Sequence, residues 1–545
     1  MTETTSDAGA VPAPNPTPKP RRAKAAAAMV AAGILLSRIS GLIRERFFAH
    51  YLGASLAMDA YRVAFRVPNM LQNLLGEGVL SASFIPVYAR LRAEGRQREA
   101  SELAEAIFAL LALIASVIVA LGVLCAPLLV TVLASGIRGE ERTLTIALVR
   151  IVFPGTGLLV FSAWCLGVLN SHSRFFLSYA SGVVMNLAMI AALVWQGGFR
   201  AQGTVSLAYV ISWASVAGAV LQFGVQAPTV YKYLRPLSGR ISIRSVQVAA
   251  VVAAFIPVFI SRGVFQISGF IDLQLASYLP KGNALLSYGQ TLYMLPVSLF
   301  GMSVSASELP AMSSALGTDS EIAATLRSRL SLGLQKISFF VVPSAVAFLA
   351  LGNVVTSTLY LTGKFREQDV LFVWAALAGS GIGLLAQTMG RLYSSTFYAL
   401  RDTRTPLNYA LIRVALTFGL GYFFSLPLPR ALGIDPTWGV AGLTASAGMA
   451  GWVEFTLLRR GLQARIGHVD FSAVRVLKLW GAALVAAAIA CLLEHVLHMA
   501  VHPVFRGLAI LTVYGSAYLL FTYFLGVSGA LSSVFARIGM GRRSS

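Results

Sequence analysis

The chain has 545 residues, 57% of them hydrophobic and only 12% charged, with a formal net charge of +21. A soluble domain carries about 25% charged residues, so this composition excludes an ordinary soluble protein and implies a chain that crosses a bilayer many times. The cationic excess would suggest nucleic acid in a soluble protein; here it fits basic loops on one side of a membrane and anionic lipid or an anionic substrate.

The first 25 residues are polar, rich in Pro and Ala and then basic, which reads as a disordered cytoplasmic tail and not as a cleaved leader. Apolar runs follow at 26–49, 58–88, 101–135, 143–169, 176–197, 204–229, 246–280, 284–312, 327–361, 370–397, 405–427, 437–458, 476–497 and 506–527. Each is long enough for a hydrocarbon core of about 30 Å, whereas a β-barrel would show short alternating segments. The predicted fold is an all-α polytopic membrane protein with fourteen transmembrane helices. Cys125, Cys165 and Cys491 fall within apolar runs without disulfide or metal-ligand spacing, so no metal site is expected.

Of the 43 Lys and Arg residues, 26 fall on the side of the termini, eight on the opposite side and nine inside spans. The positive-inside rule then places both termini in the cytoplasm. An internal repeat divides the chain. "RISGLIRERFFAHYL" (38–52) aligns with "QISGFIDLQLASYLP" (266–280), and "VPNML" (67–71) with "LPVSL" (295–299), both at an offset of 228. "LNSHSRFF" (169–176) and "ALRDTRTP" (399–406) form a weaker match at about 230. Six spans separate the halves, so they share one orientation, a common transporter plan. The expected organisation is a tail (1–25), an N-terminal lobe (26–229), a basic cytoplasmic linker (230–245), a C-terminal lobe (246–458), two appended helices (459–530) and a basic tail (531–545), with a central cavity between the lobes.

Charges inside the first two spans are the strongest functional signal. At 100° per residue, Asp59, Arg62, Arg66, Asn69, Asn73 and Glu77 of the second span fall within an arc of about 80°. In the first span Ser37, Arg38, Gly41, Arg44, Glu45 and Phe48 share a face, while Arg46 points away. Arg38 stands about 18 Å into its span. Each mid-span charge costs about 2.5–3.5 kcal/mol in hydrocarbon, so several aligned charges favour a wet cavity. Arg46, Asp59 and Arg62 lie near the outer ends, where snorkelling or structural pairing explains them equally well. The corresponding face of the eighth span carries Ser287, Gln290, Met294, Val297, Gly301 and Ser305 without a charge, which assigns the cationic surface to the N-terminal lobe alone. Guanidinium forks match phosphate oxygens, so the cavity suits an anion. Asp272, inside the seventh span, could bind a cation, a proton or a nearby arginine. Arg262, Arg391, Arg413 and Glu454 show no pattern and read as packing or interface residues, and His50 and His172 as solvated loop groups. No Walker A loop, nucleophile elbow or HExxH is present, which argues against an enzyme and leaves an ion gradient, the membrane potential or the substrate gradient as the energy source.

"SRISGLIRE", "MDAYRVAFRVPNMLQNLLGEGVLSASFIPVYA", "GVLNSHSRFF" and "FYALRDTRTP" resemble the MurJ (MviN) family of lipid II flippases, of the multidrug/oligosaccharidyl-lipid/polysaccharide superfamily, over about residues 26 to 530. The resemblance implies flipping of undecaprenyl-pyrophosphate-linked disaccharide-pentapeptide across a bacterial inner membrane for peptidoglycan synthesis. It further implies an arginine-lined cavity for diphosphate and sugars, a lipid-tail groove beside the last two helices, and contacts with cell-wall synthesis proteins. It makes Arg38, Arg44, Asp59 and Glu77 important charges. Gln72 and Thr291 stand where the family usually carries arginines. Asp272 matches a carboxylate that some members use to bind sodium, with Thr417 and Gly421 at the partner positions; the resemblance thus leaves Na⁺ or H⁺ coupling, or the membrane potential, as the expectation, with no cofactor. The alternatives are a flippase for another polyprenyl-pyrophosphate glycan, of O-antigen or capsule type, and a non-transporting cell-wall scaffold.

Overall fold

The computed structural model describes residues 20–235, 245–314, 317–497 and 502–527, with no strand among them. The first half contains α1 (Pro20–Leu52), α2 (Leu56–Leu75), α3 (Glu77–Ala93), α4 (Gln97–Leu124), α5 (Ala126–Leu133), α6 (Gly139–Ser171), α7 (Phe175–Leu193) and α8 (Thr204–Leu234). The second contains α9 (Val246–Ala276), α10 (Gly282–Pro296), α11 (Ser303–Ser313), α12 (Asp319–Ala350), α13 (Gly352–Tyr360), α14 (Glu367–Ala399), α15 (Arg404–Ser425), α16 (Pro427–Ala431) and α17 (Gly439–Ile466), and α18 (Ala473–Leu497) and α19 (Pro503–Phe524) are appended to it. Taking α2 with α3, α4 with α5, α10 with α11, α12 with α13 and α15 with α16, these helices form fourteen successive rods. Ten rods are long and apolar enough to cross a bilayer by that measure alone, which makes the chain a multi-pass membrane protein. Most of the predicted tails and linker lies outside the described residues, although α1 begins at Pro20 and α8 runs on to Leu234.

The two halves are alike in plan but differ where their second rods break. The sequence predicts one helix over 58–88; the structure ends α2 at Leu75 and starts α3 at Glu77. Gly76 forms the joint, and a Cβ there would fall on the Gln72 carbonyl. The equivalent rod of the second half runs through a π-helical turn at Val297–Met302 instead. Beyond these joints "SASFIP" (81–86) and "SASELP" (305–310) recur at an offset of 224, while Pro68 and Pro296 keep 228. The first half thus inserts four residues, about one turn, around its glycine break.

In the second half the central pair is α14 with α17. Gly383 lies against Gly448 and Gly379 against Thr444, so the backbones approach to contact. Lipid offers no hydrophobic drive between helices, and small residues supply the close packing instead. α18 and α19 dock on this half through Tyr514 and Tyr518, whose hydroxyls donate to the carbonyls of Pro343 (2.7 Å) and Phe339 (2.6 Å).

In the first half α1 packs along α7. Its repeat partner α9 behaves differently. The end of α9 near Leu275 packs on α15 and α17 beside Gly421 and Leu443, whereas its first half leans on α3 and α4, with Val248 and Val251 clustered with Leu80, Phe84 and Leu103. Gln247 Nε2 donates to Glu99 Oε2 at 3.0 Å. α9 therefore straddles the two lobes.

The lobes meet directly at the end opposite the start of α1 and the end of α19, termed distal below. The Lys364 N–H donates to the His50 carbonyl (2.9 Å), and Tyr288 Oη donates to the Gly53 carbonyl (3.2 Å). Gly53 (φ +62°) and Gly363 (φ +55°) each press on the other lobe's backbone, in a left-handed conformation that glycine adopts without strain. His50 stays exposed, as read from the sequence, while its ring also bonds Thr362 Oγ1 at 2.8 Å at the edge of the seal. His172 is engaged as well. At the proximal end of the first lobe its ring stacks on Tyr233 with centroids 3.9 Å apart, and Nε2 lies 3.1 Å from Tyr88 Oη.

A Gly383→Val substitution should destabilise the α14–α17 contact by about 1–3 kcal/mol, seen as a lower melting temperature in detergent. Gly481→Ala, whose added methyl meets open space, should leave that temperature unchanged. A second expectation concerns pH. Burial, with the nearby Arg92 charge, lowers the His172 pKa to about 4 from the ordinary 6.5. As pH falls below 6.5 the unfolded chain takes up this proton first, so stability should decline between about 6.5 and 4. His172→Gln should flatten that limb in a pH series of thermal melts.

Candidate functional site

A cavity of about 670 Å³ lies between the lobes. The short turn after α1 is closed by Ser55, whose side chain accepts from the Met58 N–H at 3.2 Å and starts α2 back alongside α1. Three- and four-residue spacing then brings Ser37, Arg38, Gly41, Arg44 and Glu45 of α1 to the cavity, next to Asn69 and Gln72 of α2. Tyr179 and Asn186 of α7 and Gln222 of α8 complete the first lobe's wall. The second lobe contributes α10, with Ser287, Gln290 and Thr291. This wall is polar and uncharged, as expected.

Two guanidinium groups face the space. Arg38 is exposed and has no hydrogen bond or ion pair among the described residues. Arg44 is half-buried and held on both sides, by Asn186 Oδ1 at 3.0 Å and by Glu45 Oε1 at 2.8 Å. Asn186 is itself fixed by donating to Ser40 Oγ at 2.8 Å. Glu45, 2% exposed, is shared with Arg62, to which it is bonded through both oxygens. One carboxylate thus serves two arginines, and with Arg38 unpaired the wall keeps a positive surplus. That arrangement can hold a phosphate or diphosphate.

The rest of the predicted stripe is elsewhere. Arg62 lies distal to the cavity, between the rings of Phe48 (5.3 Å) and Tyr288 (5.2 Å), joining the lobes. Asp59, 2% exposed, accepts from the Ala284 N–H at 2.8 Å and from Asn283 Nδ2 at 3.4 Å, so its carboxylate caps the N-terminus of α10 across the interface. Arg66 donates to Gln290 Oε1 at 3.0 Å and lies against α9 at Gly269. Arg46 reaches the Thr358 and Leu359 carbonyls at 3.0 and 2.8 Å. The four therefore belong to the lobe junction in this conformation. Asn73 is exposed off the cavity wall. The break at Gly76 ends the single arc on which the stripe was drawn, and the side chain of Glu77 lies outside the described ones, as does that of Arg262. Asp272 makes no hydrogen bond or ion pair among the described residues and sits in the fields of Arg66 and Arg413. Thr417 is buried, and Gly421 is crowded by Leu275, Leu443 and Ser446.

Sequence reasoning passed over Tyr179, Asn186 and Gln222. Tyr179 and Asn186 are seven residues apart, two turns, hence on one helical face, and that spacing of polar groups in an apolar span is the signal that could have found them. Among the described residues no three His, Cys, Asp or Glu side chains gather to hold a metal ion.

Two helical lobes around a polar cavity define the fold class, and solved structures share it. The chain is similar to a lipid II flippase MurJ in an inward closed conformation (TM-score 0.74, 22% identity, 91% of this chain and 98% of that one). It also matches an inward-facing multidrug resistance MATE family transporter of the MOP superfamily (TM-score 0.63, 18% identity, 81% and 98%). The sequence goes further. The family model described as lipid II flippase MurJ matches residues 48–510. The lipid II flippase MurJ of Burkholderia cenocepacia is 33% identical over 444 residues, 80% of this chain and 83% of that one. A probable lipid II flippase MurJ of Rhizobium meliloti is 29% identical over 81% and 80%. The chain belongs to the lipid II flippase MurJ family.

Removing Glu45 leaves Arg62 buried without its counter-ion, a change that costs about 3–5 kcal/mol for buried pairs. Glu45→Ala should therefore lower the melting temperature sharply, and adding Arg62→Met should recover much of the loss. Equal melting of the single variant and the unaltered protein would remove Glu45 from the junction.

Proposed function

We propose that this chain flips lipid II, the undecaprenyl-diphosphate-linked disaccharide-pentapeptide, from the cytoplasmic to the periplasmic leaflet of the bacterial inner membrane by alternating access, in support of peptidoglycan synthesis. One observation carries the reading: Arg38, unpaired, and Arg44 face a polar chamber that is closed off distally by direct contacts between the lobes. On the topology that the arginine distribution favours, the distal end is periplasmic and both termini are cytoplasmic, so this state receives cargo from the cytoplasm. The diphosphate sits on the two guanidinium groups while the polyprenyl tail stays in lipid. Moving a diphosphate through bare hydrocarbon would meet an ionic desolvation cost of several kcal/mol or more per charge, which fixed arginines and water in the chamber remove. Gln72 and Thr291 leave the grip with fewer cations than the family's usual pattern; the amides around them supply neutral hydrogen bonds suited to sugar hydroxyls.

The energy source we propose is the membrane potential or an ion gradient. With Arg66 and Arg413 already beside it, Asp272 is served by fixed cations, and Thr417 and the crowded Gly421 add little to a sodium site.

Complementation tests the proposal. A strain depleted of its own lipid II flippase should survive on the unaltered gene and die on Arg38→Ala or Arg44→Ala, with both variants reaching the membrane at normal levels. Survival on both variants would discredit the cavity, and failure of the unaltered gene would favour a carrier of another polyprenyl-diphosphate glycan or a scaffold.

A further inference from the structure

The second lobe carries charges that neither the cavity nor the junction uses. Arg391 of α14 is exposed inside its rod, and its guanidinium makes no hydrogen bond or ion pair among the described residues. A lone guanidinium at that depth is costly against acyl chains, so it has to face water or an anion. Its neighbours show which way it faces. Gln387, one turn earlier on the same face of α14, accepts from Tyr293 Oη of α10 at 2.6 Å. The charges of Arg391 and Arg413 both bear on Tyr293 and on Glu454. α10 forms the second lobe's wall of the cavity through Ser287, Gln290 and Thr291, and the Tyr293–Gln387 bond sets Arg391 on the side of α14 that adjoins α10, next to the cavity lining and outside it.

Among the described residues α9 makes no substantial contact with α14; its first half leans on α3 and α4 instead. The stripe Gln387, Arg391, Ser394 and Tyr398 of α14 is left half-buried to exposed. Charge there is nearly balanced. Arg413 Nε is 3.1 Å from Glu454 Oε2, and Asp272 sits in the fields of Arg66 and Arg413, so with Arg391 three cations face two carboxylates. Arg391 is the surplus, a single positive charge framed by amide and phenol groups. That is a site for a singly charged planar anion, not for a second diphosphate.

We propose that Arg391, supported by Tyr293, Gln387 and the Arg413–Glu454 pair, binds a peptide carboxylate of the transported headgroup. The inference rests on the lipid II reading and deepens it. Pockets of about 300–1,000 Å³ suffice for drug-sized ligands. A disaccharide with a diphosphate and five amino acids is larger than that, and the 670 Å³ cavity therefore needs an extension for the peptide. Diphosphate on Arg38 and Arg44 and carboxylate on Arg391 place the headgroup across both lobes, so each lobe holds one charged end of the cargo.

The full chain in nanodiscs, titrated with three lipids, tests this: the complete glycolipid, the same glycolipid with its peptide carboxylates amidated, and undecaprenyl diphosphate. Arg391→Ala should bind the complete glycolipid about tenfold more weakly than the unaltered protein and bind the other two equally well. Arg391→Lys should keep most of the affinity. Arg38→Ala should weaken all three. Unchanged affinity of Arg391→Ala for the complete glycolipid, or an equal loss for all three lipids, overturns the carboxylate site. Failure of the unaltered protein to bind any of them overturns the cargo assignment, and this inference with it.

Discussion

A guanidinium group inside a membrane has to find water, a counter-ion or a carbonyl, and much of this structure follows from that requirement. Five arginines of the first two rods meet it in a graded way. Arg46, nearest the distal end, takes two backbone carbonyls of the other lobe. Arg62 takes a buried carboxylate and two aromatic faces, and Arg66 takes an amide oxygen across the interface. Arg44 is satisfied by Asn186 and Glu45 yet still borders the cavity, and Arg38 has only the cavity. Cations thus become progressively freer from the seal toward the chamber. The same residue type both locks the lobes together and waits for an anion.

The seal is built from bonds that can be exchanged for water at modest net cost. Its polar contacts are hydrogen bonds to carbonyls, a carboxylate on a helix N-terminus and a tyrosine on a turn, each contributing about 0.5–1.5 kcal/mol net, or about 1.5–3 kcal/mol where one partner is charged. Alternating access needs a junction of this kind, firm in sum and weak in each part. Within the lobes the packing is different in character. Gly383 against Gly448 and Gly379 against Thr444 bring backbones together over the middle of α14 and α17, and such contacts lose most of their energy on small displacements. The lobes are therefore suited to move as bodies while the junction between them breaks and re-forms.

The repeat also fails in an informative place. α1 packs along its own lobe and touches the other only near the seal, through Arg46 and His50, whereas α9 is divided between the two along its length. A rod anchored at both ends to different bodies has to bend or shift when those bodies rock.

Much of the architecture was legible in the chain itself. Composition, run length and the distribution of arginines specify a multi-pass helical protein, because hydrocarbon tolerates little besides apolar helices and the penalty is paid residue by residue. The parallel repeat was visible for the same reason, as a pattern of local requirements written twice. Arg38, Arg44 and Asn69 line the cavity, since helical periodicity holds within α1 and within α2. What only the tertiary structure decided was the fate of each charge. Asp59, Arg62 and Arg66 share their arc with Asn69, yet their partners on α10 place them at the lobe junction, and α2 ends at Leu75, before the helix on which the arc was drawn reaches residue 77. Tyr179, Asn186 and Gln222 enter the site from rods more than 100 residues further on in the sequence. Periodicity along one helix cannot say which neighbour that helix will meet, because partners are chosen by packing between surfaces far apart in the chain.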